Sequence, residues 1–156
     1  MTLPGTLQPS RFPPVRALLL CAILLAAGSA GAAEESPPSQ NPDYLAGLEA
    51  IQSSDWRRAI DSLNVAQVAE PTNADLQYWL GYAYRREGKY NAALDNFRAA
   101  LDLNPGHRGA HENMGETYLL IGNKAKAREH LAALLRICGT KCDEYRDLQR
   151  AIAAAK

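Results

Sequence analysis

The sequence predicts an all-α protein, an α-solenoid of three helical hairpins followed by a C-terminal capping helix. The first observation is internal: sliding the sequence against itself by 34 residues aligns small residues with small ones and large apolar residues with large ones. The second is compositional, because no stretch beyond Pro42 alternates β-branched and polar residues as a strand does. Ala, Leu, Arg, Glu and Gln recur there at helical spacing instead, so repeated helix-turn-helix units are expected.

Residues 1–33 have the pattern of an export signal, in which two arginines precede an apolar run from Ala17 to Ala27 and small residues follow. We expect cleavage after Ala32 or Ala33, and therefore a periplasmic or secreted protein with no membrane attachment after cleavage. The alternative is a retained signal that tethers the chain to the inner membrane, although the apolar run is shorter than a spanning helix of roughly 20 residues.

Residues 34–41 are rich in Glu, Ser and Pro, a composition that cannot bury apolar surface and predicts a flexible linker. The folded domain is therefore expected at residues 42–156.

The aligned positions divide this domain into repeats at about 40–73, 74–107 and 108–141. Pro71 falls on Pro105, and small residues align at the turn between the two helices of each unit, namely Ser54, Gly88 and Gly122. A capping helix is expected at about 143–154. Its apolar stripe would cover the open end of the array, and is formed by Tyr145, Leu148 and Ile152.

The middle unit carries a family resemblance. Its residues at fixed register are Leu80, Gly81, Tyr84, Ala93, Phe97, Ala100 and Pro105. With the period of 34, this pattern resembles the tetratricopeptide repeat (TPR), in which small residues let paired helices approach and large ones fill the space between them. The resemblance implies a solenoid whose first helices line a concave groove that binds an extended or helical peptide of a partner protein.

Groove positions carried across by register give three residues from each unit: Tyr44, Leu48, Ile51, Tyr78, Tyr82, Arg85, Glu112, Glu116 and Leu119. The resulting surface is expected to be apolar and aromatic at one end and acidic at the other. Tyrosine and arginine are common where binding energy concentrates. The alternative for Leu48 and Tyr82 is that they only pack against neighbouring helices.

Two cysteines remain after signal cleavage, Cys138 and Cys142, and an even number in an oxidising compartment favours a disulfide. Four residues apart on an unbroken helix they would be poorly placed, but Gly139 is expected to end the helix and allow a turn. The alternative is thiol exchange, although redox pairs usually have two intervening residues and this pair has three.

Charge and motifs exclude several function classes. Lys plus Arg and Asp plus Glu both total 17, so no basic excess supports nucleic-acid binding. No nucleophile, phosphate-loop or zinc-protease motif is present, so we expect no enzyme and no cofactor. His107 and His111 are four residues apart, but no third ligand completes a metal set and His130 stands alone, so no metal site is predicted.

The sequence therefore favours a scaffold or assembly factor of the bacterial cell envelope that binds a protein or peptide. The alternative is a thiol-disulfide or maturation factor that uses Cys138 and Cys142. The oligomeric state stays open.

Overall fold

The computed structural model describes residues 39–155, in which every regular element is helical. The predicted signal peptide and most of the predicted linker lie outside the described residues. The seven α-helices are α1 (Pro42–Gln52), α2 (Trp56–Ala69), α3 (Ala74–Arg86), α4 (Tyr90–Leu103), α5 (Arg108–Leu120), α6 (Lys124–Cys138) and α7 (Asp143–Ala154). A 3-10 turn, Gly139–Lys141, joins α6 to α7. The all-α prediction is confirmed, and no helix among residues 39–155 is long and apolar enough to cross a membrane.

Local sequence signals explain where the first helices begin. The side chain of Asn41 accepts hydrogen bonds from the backbone N–H groups that open α1, and Pro42 occupies the first helical position. Asn73 caps α3 by accepting from the backbone N–H of Leu76 at 3.0 Å. Cys142 occupies the N-cap position of α7, and its side chain makes no capping hydrogen bond.

The turns inside the hairpins require a left-handed backbone. Gly88 and Gly122 both have a φ of +79°, which glycine adopts without steric cost. Ser54 occupies the same register in the first unit with a φ of +60° and carries a Cβ atom there. The first hairpin therefore has a more strained turn than the other two.

Glycine also sets how closely the helices of a pair approach. A Cβ atom placed on Gly47 would lie 2.6 Å from Leu63, and one placed on Gly81 would lie 2.6 Å from Phe97. In both units the large residue comes from the second helix of the same hairpin. These helices therefore pack against each other through positions that tolerate no side chain.

The third unit departs from this pattern. Register predicts that Leu131 of α6 packs against Gly115, but the atoms nearest to a Cβ on Gly115 belong to Leu148 of α7, at 2.6 Å. Leu148 is fully buried, whereas Leu131 is half-buried. The capping helix therefore inserts into the third unit instead of only covering its end.

The order of contacts fixes which helices form the inner row. Along the described chain, α1 contacts α3, α3 contacts α5 and α5 contacts α7, whereas α2, α4 and α6 do not contact one another. Helices that touch within one row and stand apart in the other curve the array toward the first row. The odd-numbered helices thus form the inner, concave side.

Candidate functional site

The inner surface is the solvent-facing side of α1, α3, α5 and α7. Its centre is an aromatic cluster around Tyr82, whose ring lies edge-on to Trp56 at 6.1 Å and to Trp79 at 5.8 Å between ring centroids. The guanidinium of Arg86 lies 4.5 Å from the centre of the Trp56 ring and donates to the Tyr82 hydroxyl at 3.1 Å. Tyr82 is half-buried, so it both packs against neighbouring helices and presents surface to solvent.

The two tryptophans of this cluster were not among the predicted groove residues. Trp56 belongs to α2, outside the inner row, and Trp79 follows Tyr78 directly on α3. Register alone assigns groove positions only to first helices, so it could not indicate a side chain that reaches the cluster from a second helix. The sequence signal that could have indicated this cluster is that both Trp residues of the chain lie in neighbouring hairpins.

Tyr78 lies beside this cluster and is more enclosed. Its ring packs against Trp79 at 4.8 Å and against His107 at 4.7 Å between centroids. Burial, with a smaller contribution from the negative charge of Glu112, raises the pKa of Tyr78 to about 12. Close approach of α5 is allowed because Gly109 has no side chain where the Tyr78 ring lies. Tyr78 is therefore neutral at physiological pH.

Arg85 and Glu116 connect α3 to α5 across the inner surface. Arg85 Nη1 lies 2.6 Å from Glu116 Oε2, and the two side chains are 16% and 28% exposed. Partly buried charges are screened by solvent and salt less than exposed ones, so this ion pair couples α3 to α5 directly. Arg85 and Glu116, both predicted groove residues, therefore line the inner surface and form an ion pair with each other.

Glu112 lies one helical turn before Glu116 on α5. Burial is the largest cause that raises the pKa of Glu112 to about 7, and the negative charges of Glu116, Asp147 and Glu144 add to it while Arg85 opposes it. Near neutral pH this carboxyl group is therefore distributed between its protonated and ionised forms.

The acidic end of the surface extends onto α7, which sequence reasoning had placed outside the groove. Glu144 lies 3.6 Å from Arg108, and Asp147 pairs with Arg150. Helix α7 begins at Asp143, 35 residues after the start of α5. It therefore occupies the position that the first helix of a fourth repeat would have, shifted by one residue. That extra residue hid the equivalence from a comparison at an offset of 34.

The remaining predicted groove residues serve packing. Tyr44 is only 7% exposed and lies in the core with Leu63 and Leu80, so its side chain is not available to a partner, contrary to expectation. Leu48 and Ile51 are half-buried against the same cluster. Leu119 packs against the apolar cluster at the C-terminal end. The solvent-facing residues of the predicted set are therefore concentrated on α3 and α5.

The sulfur atoms of Cys138 and Cys142 are joined in the structure, with their Cα atoms 5.9 Å apart. Gly139, with a φ of +72°, ends α6 as expected. Both cysteines are half-buried against the cluster that contains Leu148. Glu144 is close enough to complete a three-residue metal-binding group with them, but joined sulfurs are not thiolates, the form that binds metals.

The histidines form a different arrangement from the one expected, because His130 is not alone. Nδ1 of His130 lies 3.0 Å from Nδ1 of His111, whose Nε2 donates to the Pro105 carbonyl oxygen at 3.1 Å. Burial and the neighbouring His111 lower the pKa of His130 to about 4, so the pair is neutral at physiological pH. His107 instead caps α5 by accepting from the backbone N–H of Ala110.

An apolar depression of about 490 Å³ lies elsewhere, on α1 and α2. Val65 and Val68 line it and are 56% and 86% exposed. None of the nine predicted groove residues borders this depression.

Comparison with known proteins agrees with the repeat geometry. Two profiles described as tetratricopeptide repeat match the chain, one over residues 44–93 and the other over residues 84–152. Together they span more than two thirds of the chain. The chain belongs to the tetratricopeptide repeat family.

Curated relatives of this TPR protein are much longer than it is. Protein NPGR2 of Arabidopsis thaliana is 31% identical over 90 residues, which are 56% of this chain and 12% of that protein. The tetratricopeptide repeat and J domain-containing co-chaperone DNJ1 of Cryptococcus neoformans is 38% identical over 74 residues, 47% of this chain and 14% of that protein. The TPR chain thus matches only a small part of each.

Solved structures show the same fold at low sequence identity. The first TPR domain of Spaghetti (RPAP3), bound to an HSP90 peptide, superimposes with a TM-score of 0.64 at 21% identity, covering 72% of this chain and 91% of that one. The Yersinia enterocolitica type III secretion chaperone SycD, in complex with a peptide of the translocator YopD, gives a TM-score of 0.64 at 17% identity and covers 72% and 86%.

Proposed function

We propose that this TPR protein is a protein-interaction module that binds a peptide segment of a partner along its inner surface, acting as a scaffold or assembly factor in the bacterial cell envelope. The observation that carries the proposal is the half-buried aromatic cluster at the inner surface, where Tyr82 and Trp79 of α3 meet Trp56 of α2. Large aromatic side chains with polar tips bury much area at little entropic cost and dominate binding energy at interfaces.

The envelope location rests on the sequence. The charged, apolar and small-residue order of residues 1–33 supports export, and a paired Cys138 and Cys142 suits an oxidising compartment. The structural relatives that hold HSP90 and translocator peptides support peptide binding as the mode of recognition. The proposal assigns neither a catalytic residue nor a cofactor.

We assign the cysteine pair a structural role. It closes the turn between α6 and α7 and packs against the buried stripe of α7, so it holds the capping helix in place. Even a short closed loop restricts the unfolded chain, by about 2 kcal/mol for a loop of this length in the chain-entropy account.

The test is peptide binding by the oxidised protein, residues 34–156, against a displayed library of random peptides. We expect Tyr82→Ala to weaken the binding of selected peptides at least about tenfold, or about 1.4 kcal/mol, because it removes the centre of the aromatic cluster. Tyr90→Ala is the matched control, since Tyr90 is a half-buried tyrosine at the start of α4, outside the inner row. Circular dichroism checks that both variants stay helical.

Two results would overturn the proposal. One is a library that yields no binding peptide. The other is equal affinity of the selected peptides for wild type and Tyr82→Ala. A Cys138→Ser variant adds a third arm: mixed disulfides between protein and peptide that disappear in this variant would indicate thiol exchange in place of groove binding.

A further inference from the structure

We propose that His111 and His130 form a binding site for a divalent transition-metal ion, and that Cu²⁺ is the ion it holds most tightly. The two ligand atoms are the Nδ1 nitrogens of the two rings, one from α5 and one from α6, and water fills the remaining positions around the ion. The site shares no residue with the aromatic cluster, so it goes beyond the proposed peptide binding and does not depend on it.

The distance between the two nitrogens fits a shared ion. Nδ1 of His111 lies 3.0 Å from Nδ1 of His130. Imidazole nitrogens bind a divalent ion such as Zn²⁺ at about 2.0–2.1 Å, so two of them at right angles around one ion are about 2.9 Å apart, and two at a tetrahedral angle about 3.3 Å. The pair therefore matches neighbouring corners of a square-planar or tetragonal site. Small rotations of the rings would aim both lone pairs at an ion beside the line that joins them.

The hydrogen bonding of His111 leaves its Nδ1 with a lone pair. Its Nε2 lies 3.1 Å from the carbonyl oxygen of Pro105, which can only accept, so Nε2 carries the proton of the neutral ring. Metal-binding histidines commonly donate their second N–H to a backbone carbonyl, because that bond fixes the tautomer and the orientation of the ring. His111 thus already makes the outer contact that a metal ligand needs.

The ring of His130 is held by a different contact. It stacks on the ring of Tyr118, with the centroids 5.7 Å apart and the planes inclined by 21°. Without an ion, Nδ1–H of His130 donates to Nδ1 of His111. When an ion binds, Nδ1 releases this proton to water and Nε2 takes one up, so the ring changes tautomer and stays neutral. The ion therefore replaces one shared hydrogen atom without a net release of protons.

Both ligands come from helices and remain within reach of solvent. Helices α5 and α6 form the third hairpin, and the two histidines are 19 residues apart in the chain. Each side chain is half-buried, so an ion and its water ligands can enter. Ligands on packed helices keep their geometry better than ligands on loops. Because the unfolded chain does not bring the two rings together, a bound ion should stabilise the fold.

The number and type of ligands indicate which ion is preferred. Among residues 39–155, no third His, Cys, Asp or Glu side chain completes a metal-binding group with this pair. Zinc sites ordinarily have three or four protein ligands, so two nitrogens alone do not favour Zn²⁺. Tetragonal sites of nitrogen and oxygen ligands are typical of Cu²⁺ and Ni²⁺, and Cu²⁺ binds most tightly in the first-row series. We therefore expect Cu²⁺ to bind more tightly than Ni²⁺ or Zn²⁺.

The experiment titrates Cu²⁺ into the oxidised protein, residues 34–156, prepared without a histidine tag. A weak competing chelator suppresses loosely bound ions, and a pH of about 7.5 keeps ordinary imidazoles neutral. We expect one Cu²⁺ per chain. Electron paramagnetic resonance with electron spin echo detection should show two imidazole nitrogens coupled to that ion.

Variants of the three histidines locate the ion. His111→Gln and His130→Gln should each weaken Cu²⁺ binding at least about tenfold. The matched control is His107→Asn, which removes the remaining imidazole of the chain while asparagine can still cap α5. This variant should bind Cu²⁺ as wild type does. Circular dichroism checks that all three variants stay helical.

Melting curves give a second readout that does not rely on affinity. Cu²⁺ at about 100 times its dissociation constant should raise the melting temperature of wild type by at least about 5 °C. The double variant His111→Gln, His130→Gln should show no such rise.

Three results would overturn the site. The first is the absence of Cu²⁺ binding in the presence of the chelator. The second is a spectrum of the wild-type complex with fewer than two imidazole nitrogens, which would indicate an adventitious ion elsewhere on the chain. The third is an affinity that is unchanged in His130→Gln or that falls equally in His107→Asn. None of these results bears on peptide binding, which is tested separately through Tyr82.

Discussion

Replacing Leu148 by alanine is expected to lower the free energy of unfolding by about 2–5 kcal/mol, measured by urea denaturation of the oxidised protein. Leu148 is fully buried, and its methyl groups occupy the space that Gly115 leaves open on α5. Truncation would leave a cavity between α5 and α7 that neither helix backbone can close. The capping helix would then lose its main attachment.

The control for this variant is Leu135→Ala on α6. Leu135 is 47% exposed, so the same truncation removes little buried surface and should cost well below 1 kcal/mol. If Leu148→Ala were no more destabilising than Leu135→Ala, α7 would not be an integral part of the third unit.

Enlarging Ala93 to leucine is expected to destabilise the fold by about 1–3 kcal/mol. Ala93 is fully buried on α4, and its carbonyl oxygen lies 3.1 Å from where a Cβ on Gly81 would be, so α3 and α4 are nearly in backbone contact there. An added isobutyl group would force these helices apart. The drop in melting temperature reports the effect.

The matched substitution is Ala132→Leu, which adds the same group to an exposed position of α6. It should leave the melting temperature almost unchanged. Equal melting temperatures for wild type and Ala93→Leu would contradict the repeat register, since that register places Ala93 at the closest approach of the two helices.

Features that depend on nearby sequence were predictable. Gly88, Gly122 and Gly139 all have positive φ where turns or helix ends were expected, and Asn41 and Asn73 cap the helices that they precede. Each of these outcomes depends on a few adjacent residues, so the sequence pattern contains the information needed.

Features that depend on the packing of distant segments were not predictable from register. Leu148 packs against Gly115 where register predicts Leu131, and His130 contacts His111. Both contacts depend on how α5, α6 and α7 pack together. Tyr44 became core for the same reason: α3 covers it. Register assigns a residue to a face of its own helix but does not state how far the neighbouring helix overlaps that face.

The same distinction applies to the residues of the candidate site. The residues Tyr78, Tyr82, Arg85, Glu112 and Glu116 do lie on the inner row, as register predicts. The contact of Tyr82 with Trp56, and the effect of Glu144 and Asp147 on Glu112, could be seen only in the three-dimensional structure. The acidic end is therefore larger than the sequence indicated, because packing brings carboxylates of α5 and α7 together.

The central claim is that a partner segment lies along the inner surface, and site-specific photocrosslinking tests it most directly. A photoreactive phenylalanine derivative would replace Tyr82 on the inner surface or Asp102, an exposed residue of α4 outside the inner row. With a bound peptide from the selected set, we predict crosslinks from position 82 and none above background from position 102. Crosslinks of equal yield from both positions, or from position 102 alone, would contradict binding in the concave groove.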